Sequence, residues 1–270
     1  MSDPLPADLA SALESTRQAR GPFGSRVFYF NQTGSTNDLA ARAAEQGDPE
    51  GTVFVAASQT AGRGRLGRTW FSPPEAGLYV STIIRRAAVI PWVTLAGGVA
   101  VAEGIRSATG LPVQLKWPND VVAVGSRVFS ARRKIAGVLA EASSGPAGVQ
   151  HVVLGFGINL RAGPFPPELA DRAGSIEQEL GRPIDAGAVL ANVLVALHDT
   201  TRTVVDAGGQ ALLERWLLLS PSARGASIEW DAGDCAFRSG TTAGVADDGA
   251  LLVKTVAGIE RILSGEVRWR

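Results

Sequence analysis

The chain has 270 residues, 45% of them hydrophobic, and its 26 basic side chains are balanced by 26 acidic ones. Zero net charge argues against a protein that coats nucleic acid or an anionic membrane, so any cationic function must be local. A lone cysteine, Cys235, excludes an intrachain disulfide, and with only His151 and His198 beside it a zinc site built from cysteine and histidine is not expected.

Residues 1–22 read as an N-terminal extension in which "LASALESTRQA" carries apolar residues at helical spacing, predicting a short helix. The opening "MSDPLPADLA" has no basic segment followed by an apolar core, so no secretion signal is expected, and no apolar run reaches transmembrane length. A soluble, cytoplasmic protein is the expectation. "RVFYFNQT" (26–33) predicts a strand from its aromatic and β-branched residues. "GSTNDLAARAAEQG" then opens a helix, with Ser35, Thr36 and Asn37 as capping residue types and Gly47 at its end. "TVFVAAS" (52–58) is a strand that runs straight into "QTAGRGRLGRTW" (59–70), and "LYVSTII" (78–84) is another. "PWVTLAGGVAVAEGIRSATG" predicts a buried helix started by Pro91 and ended near Gly110. Strands follow in "VQLKW", "KIAGVLAEAS" and "HVVLGFGINL", then a helical stretch over 185–219 broken at Gly208–Gly209. From Ala226 the texture changes to short strands, "ASIEW", "TTAGV", "ALLVKTV" and "IERILSG", with "ADDGA" as a hairpin turn. The boundaries this implies are an extension over 1–22, a main domain over 23–221 and a small β-barrel-like domain over 222–270.

The stretch at 59–70 interleaves Arg63, Arg65 and Arg68 with Gly62, Gly64 and Gly67 and closes on Trp70. Glycines let a backbone approach a polyanion closely, and cations neutralise it. Repulsion among three unpaired arginines predicts a loop that is mobile until an anion arrives. The stretch is neither a Walker loop, since no G-x-x-x-x-G-K-[ST] occurs, nor a dinucleotide fingerprint. A solvated hairpin tip or an RNA-binding Gly–Arg segment would share its composition, but such RNA-binding segments usually come as repeats in disordered tails. Of the 26 basic residues only Lys116, Lys134 and Lys254 are lysine. A lysine kept in "LKWPND" or "RRKIAG" therefore raises the question of whether a planar guanidinium would fail where a compact point charge works. The same "PND" puts Asn119 and Asp120 on a turn where an oxygen-ligated Mg²⁺ could sit.

In this order "GSTN", "QTAGRGRLGRTWFSP", "LKWPND", "KIAGVLAE" and "GFGINL", with "AGVADDGALLV" in the tail, resemble the biotin–protein ligases (biotin–[acetyl-CoA-carboxylase] ligases). The resemblance implies an α+β fold: a class II synthetase-like catalytic domain with a mixed β-sheet flanked by helices, and a small C-terminal SH3-like β-barrel. It implies that biotin and ATP, with Mg²⁺, give biotinyl-5′-adenylate and pyrophosphate. Biotin then passes to a lysine of the biotin carboxyl carrier domain of an acetyl-CoA or other acyl-CoA carboxylase. By matching position, Ser35, Thr36, Asn37 and Gln59 would surround biotin's ureido ring, with Gly137 also on the biotin side. Arg63, Gly64 and Arg65 would hold the biotin carboxylate and the adenylate phosphate, Arg68 would order the loop or face the triphosphate, and Trp70 would cover the site. Lys134 matches the family's essential lysine and, with Arg65, would be catalytic. Lys116 and Asn119 would lie near the phosphates, Asp120 beside Mg²⁺ and Asn159 beside adenine.

The chain departs from that pattern at Leu66, where another basic residue is usual, and in "PEAGLY", which lacks an Asn often found before Leu–Tyr. The segment over 121–133 is longer than in compact members and predicts an extra hairpin near Lys134. Without a helix-turn-helix domain ahead of the matched blocks, the resemblance is to the monofunctional form, with neither DNA nor membrane as partner, as a monomer or weak homodimer. One alternative is a lipoate–protein ligase of the same fold superfamily, against which the polar set at Ser35, Thr36 and Gln59 argues. Another, from a different class, is an RNA-binding protein using the Gly–Arg loop.

Overall fold

Alternate residues along a strand point to opposite faces of its sheet, and here each face has its own helices to bury against. The computed structural model describes residues 2–124, 132–146, 148–163, 165–231 and 237–269. Among them β1 (Val27–Phe30), β2 (Val53–Ala56), β3 (Gly77–Ile84), β4 (Val113–Lys116), β5 (Asp120–Ala123), β6 (Lys134–Gly145) and β7 (Gly148–Asn159) form a seven-stranded sheet. Its order is β1-β2-β3-β7-β6-β5-β4, parallel between β1 and β2 and antiparallel elsewhere. The helices are α1 (Ala7–Ser15), α2 (Thr36–Glu45), α3 (Val93–Thr109), α4 (Pro167–Ala170), α5 (Ile176–Leu180), α6 (Ala186–Ala207) and α7 (Gly209–Leu219).

Val53, Val55, Val80, Ile84, Val138 and Leu154 belong to the main core, where α3 packs on the sheet with α6 and α7 behind it. Phe54, Ile83 and Val153, one residue out of phase, pack with Ala40, Ala43 and Ala44 of α2 on the opposite face. That second face carries the site. α2 covers only its β2–β3–β7 part.

The tail forms a five-stranded antiparallel sheet in the order β11-β10-β9-β8-β12, from β8 (Arg224–Asp231), β9 (Phe237–Val245), β10 (Leu251–Thr255), β11 (Gly258–Ile262) and β12 (Val267–Trp269). Its buried residues Ile228, Trp230, Val253 and Val267 are contiguous with the main core. Trp117 donates from Nε1 to the Gly249 carbonyl at 2.9 Å, a second tie between the two sheets. The N-terminal segment is also part of the body. Leu9 and Leu13 are buried in the main core, and Asp3 pairs in antiparallel fashion with Tyr29 on the edge strand β1.

The α+β class and the mixed sheet flanked by helices are as expected, and the helical stretch over 185–219 does break at Gly208, whose φ is +83°. Three details differ. Asp120 is the first residue of β5 rather than part of a turn, because it pairs with Lys116 on one side and Gly137 on the other. β12 is only three residues long, too short for a period, and exists because β8 offers it an edge. The short helices α4 and α5 lie in a stretch with no repeating apolar pattern. Of the segment over 121–133 where an extra hairpin was expected, residues 121–123 belong to β5 and residues 125–131 lie outside the described residues, as does Cys235.

Candidate active site

The open part of the second face begins with a row of register partners across four strands: Tyr79, Gly157, Gly137 and Asp120. Two adjacent glycines leave a shallow shelf in the middle of the sheet, and the Trp70 indole lies on it. A Cβ on Gly157 would collide with the indole, and one on Gly137 would come within 2.9 Å of its Cζ3. Over this shelf opens a cleft of about 930 Å³, walled by the start of α2, the Gly–Arg loop, the β4–β5 turn and β12. The size suits a small-molecule site.

One end of the cleft is lined with neutral polar groups. Ser35 caps α2 with extended backbone but makes no capping bond through its side chain, and Ser35, Thr36 and Asn37 are all buried. Gln59 Oε1 accepts from the Thr36 backbone N–H at 2.8 Å and from Thr36 Oγ1 at 3.1 Å. Gln59 Nε2 donates to Ser72 Oγ at 3.1 Å, and Ser72 Oγ donates to the Trp70 carbonyl at 3.0 Å. Ser81, buried on β3, bonds both Thr36 Oγ1 and Asn37 Oδ1, while Asn37 Nδ2 donates to Glu141. Buried hydroxyls and amides are costly unless bonded, and this set satisfies itself.

The other end is cationic. Lys134 Nζ lies 2.6 Å from Asp120 Oδ1 and 5.1 Å from the centroid of the Trp70 ring. Arg65 is half-buried, and burial lowers its pKa against the attraction of Asp120. Burial also lowers the pKa of Lys116, although Asp120 and Glu266 work in the opposite direction. The Trp269 ring receives two cations, Lys116 Nζ at 5.1 Å and Arg132 at 4.5 Å. Glu266 is pushed up by burial, yet the hydrogen bond from Arg68 and the charges of Arg68, Arg268 and Arg172 hold it below the usual carboxylate range.

Two of the three loop arginines are paired, which corrects the expectation of three unpaired cations. Arg63 reaches Asp38 at 2.6 Å and Glu141 at 2.9 Å, and Arg68 reaches Glu266 at 2.7 Å. The carboxylates come from α2, β6 and the tail, segments that are distant in sequence, so composition of the loop alone could not reveal them. The pairing also weakens an RNA-binding reading, since the guanidinium charge is largely met within the chain. At the loop tip Leu66 is exposed with φ +58°, a left-handed conformation that is costly for a leucine.

All the residues singled out in the sequence line this one cleft: Ser35, Thr36, Asn37 and Gln59 at the neutral end, Arg63, Gly64, Arg65, Arg68 and Trp70 on the loop, Lys116, Asn119 and Asp120 around the β4–β5 turn, and Lys134, Gly137 and Asn159 on β6 and β7. Two of the amides are engaged by the backbone. Asn119 Nδ2 donates to the Val138 carbonyl at 2.6 Å, pinning the turn to β6, and Asn159 Nδ2 donates to the Gly174 carbonyl at 3.0 Å. Sequence reasoning missed Ser72, Ser81, Glu141, Glu266 and Trp269. A signal existed for two: Ser81 interrupts an apolar strand, and Glu141 shares a strand face with Gly137 and Leu139. Among the described residues no group of three or more His, Cys, Asp or Glu side chains could hold a metal ion. A divalent cation would fit here only as a phosphate-borne ion with Asp120 at its side.

The model of the biotin/lipoate A/B protein ligase family matches residues 29–159. The bifunctional ligase/repressor BirA of Bacillus subtilis (strain 168) is 32% identical over 253 residues, 90% of this chain and 74% of that protein. The biotin--[acetyl-CoA-carboxylase] ligase of Paracoccus denitrificans is 31% identical over 246 residues, 87% of this chain and 97% of that one. Among solved structures, the biotin protein ligase from Aquifex aeolicus in complex with biotin and ATP is 29% identical with a TM-score of 0.74, covering 91% of this chain and 99% of that one.

Proposed function

This chain belongs to the biotin/lipoate A/B protein ligase family, and on that premise we propose that it is an ATP-dependent biotin–protein ligase. It activates biotin as biotinyl-5′-adenylate with release of pyrophosphate, and then transfers biotin to a lysine of a biotin carboxyl carrier domain of an acetyl-CoA or related carboxylase. The observation that carries this reading is one cleft with a buried hydroxyl–amide end beside a cationic end, with Trp70 and Lys134 where the two meet.

The ureido ring of biotin is neutral, with two N–H donors and one carbonyl acceptor, and Ser35, Thr36, Asn37 and Gln59 offer groups of both kinds. Lipoate has no such ring and offers these polar groups neither donor nor acceptor, which disfavours it. In the first step a biotin carboxylate oxygen attacks the α-phosphorus of ATP, and the bond to the bridging oxygen of pyrophosphate breaks. Two anions must meet, so the work falls to fixed cations rather than to a protein nucleophile. Lys134 and Arg65 face the transferring group, Arg63 and Gly64 hold the carboxylate and adenylate phosphate, and Arg68 and Lys116 serve the outgoing phosphates. Asn119 and Asn159 help shape the nucleotide end through the segments they pin. Mg²⁺ carried on the triphosphate would neutralise phosphate charge near Asp120. In the second step the carrier lysine attacks the acyl carbon, and AMP leaves.

The deciding experiment is pyrophosphate release by the purified chain with ATP and biotin, lipoate or octanoate in parallel. Biotin alone should support release. Equal or greater release with lipoate would overturn the assignment.

A further inference from the structure

Two groups that face the cleft end on the same carboxylate outside it. Glu141 Oε2 accepts from Asn37 Nδ2 and, at 2.9 Å, from Arg63 Nη2, while Oε1 lies 3.3 Å from Arg63 Nε. Asn37 sits in the first turn of α2, Arg63 in the Gly–Arg loop, and Glu141 on β6, where it pairs with Val153 of β7. A strand of the main sheet therefore holds the helix start and the loop together. Ion pairs this exposed add little to stability, so the consequence lies in what Arg63 carries with it. Arg63 bridges Thr69, Trp70 donates its backbone N–H to the Gly62 carbonyl at 2.9 Å, and Gly64 donates to the Arg68 carbonyl at 2.7 Å. Fixing the Arg63 guanidinium thus fixes the base of the loop, and with it Trp70 on its glycine shelf.

We propose that Glu141 is a positioning residue for the biotin end of the cleft. It holds Asn37, on the ureido side, and the backbone of residues 62–64, on the carboxylate side, at the separation biotin requires, without touching the ligand. This rests on the ligase reading above. The negative charge matters because one carboxylate oxygen serves two donors at once, which a neutral amide oxygen does less well.

The test is steady-state pyrophosphate release by the full chain, with KM measured separately for biotin and for ATP. Glu141→Ala should raise KM for biotin about tenfold, the usual cost of losing a charge-assisted hydrogen bond. Its kcat and its KM for ATP should stay within about twofold. Glu141→Gln, which keeps an acceptor for Asn37, should recover part of the loss. Arg63→Ala combined with Glu141→Ala should raise KM for biotin by less than the product of the two single effects, because the singles share the Arg63–Glu141 contact. An unchanged KM for biotin would overturn the proposal. So would a parallel change of kcat and both KM values with a lowered Tm, which is the mark of a merely structural residue. If Glu141→Ala fails to fold, Glu141→Gln decides alone: a selective rise in KM for biotin supports the proposal and no change defeats it. A wild-type chain without biotin-dependent release would overturn the ligase reading itself, whereas an active wild type with indifferent Glu141 variants would overturn this inference only.

Discussion

Lys134 serves two neighbours at once, the Asp120 carboxylate at 2.6 Å and the face of the Trp70 ring at 5.1 Å. A flexible ammonium can leave Asp120 for an approaching phosphate oxygen, whereas a guanidinium there would have to fit its planar fork between a strand and an indole. Lys134→Ala should cut single-turnover adenylation by about a hundred- to a thousandfold, while calorimetric biotin binding falls much less, since the neutral end of the cleft is intact. Lys134→Arg should rescue poorly. Near-native adenylation by Lys134→Arg would show that only net charge matters. The glycine shelf makes a steric prediction. Gly157→Ala should destabilise the chain by about 1–3 kcal/mol through overpacking against Trp70. In a Trp70→Ala background the same change should be nearly neutral. Denaturant unfolding of the four proteins in this cycle measures the coupling, and additive effects would mean that Trp70 does not rest on the shelf in solution.

At the scale of elements the Gly–Arg loop is the informative one. Its backbone is glycine-rich and its tip holds Leu66 in a left-handed conformation, yet its base is tied by Arg63 to Asp38 and Glu141, and Arg68 ties it to Glu266. Exposed ion pairs of this kind are worth about 1 kcal/mol or less, so they bias the loop without locking it. Amide exchange over residues 61–70 should therefore be fast in the free chain and slow markedly with biotin plus ATP. Equal protection in both states would contradict a loop ordered by its ligand. The tip adds a finer point. Leu66→Gly removes the cost of the left-handed conformation and should slow exchange at the tip in the free chain. Faster exchange would show that the Leu66 side chain holds the loop more than its backbone strains it. Most strands and helices were legible because their patterns were strong: buried α3 between Pro91 and Gly110, and the break of α6 and α7 at Gly208. β5, β12, α4 and α5 were not. Segments of three to five residues have no period to read, and their conformation is imposed by neighbours.

On the scale of the whole molecule the cleft belongs to both sheets. The seven-stranded sheet supplies its floor, and the tail supplies Glu266 and Trp269 to its cationic wall. Trp269 holds Lys116 and Arg132 against one ring, so Trp269→Ala should raise KM for ATP several-fold, the scale of lost cation–π contacts. Biotin binding, read by calorimetry, should stay unchanged, and a loss of biotin affinity would place Trp269 in the wrong part of the reaction. The sequence by itself determined which residue types would meet and what chemistry they suit. Glycine, arginine, lysine and small polar residues were written in short contiguous blocks, and local chemistry is a property of such blocks. Only the tertiary structure decided how their charges are met. Asp38, Asp120 and Glu141 come from three different elements and Glu266 from the loop before β12, and the partners of Arg63, Arg68 and Lys134 depend on distances that exist only once a sheet face, a helix start and a distant tail have packed around one cleft.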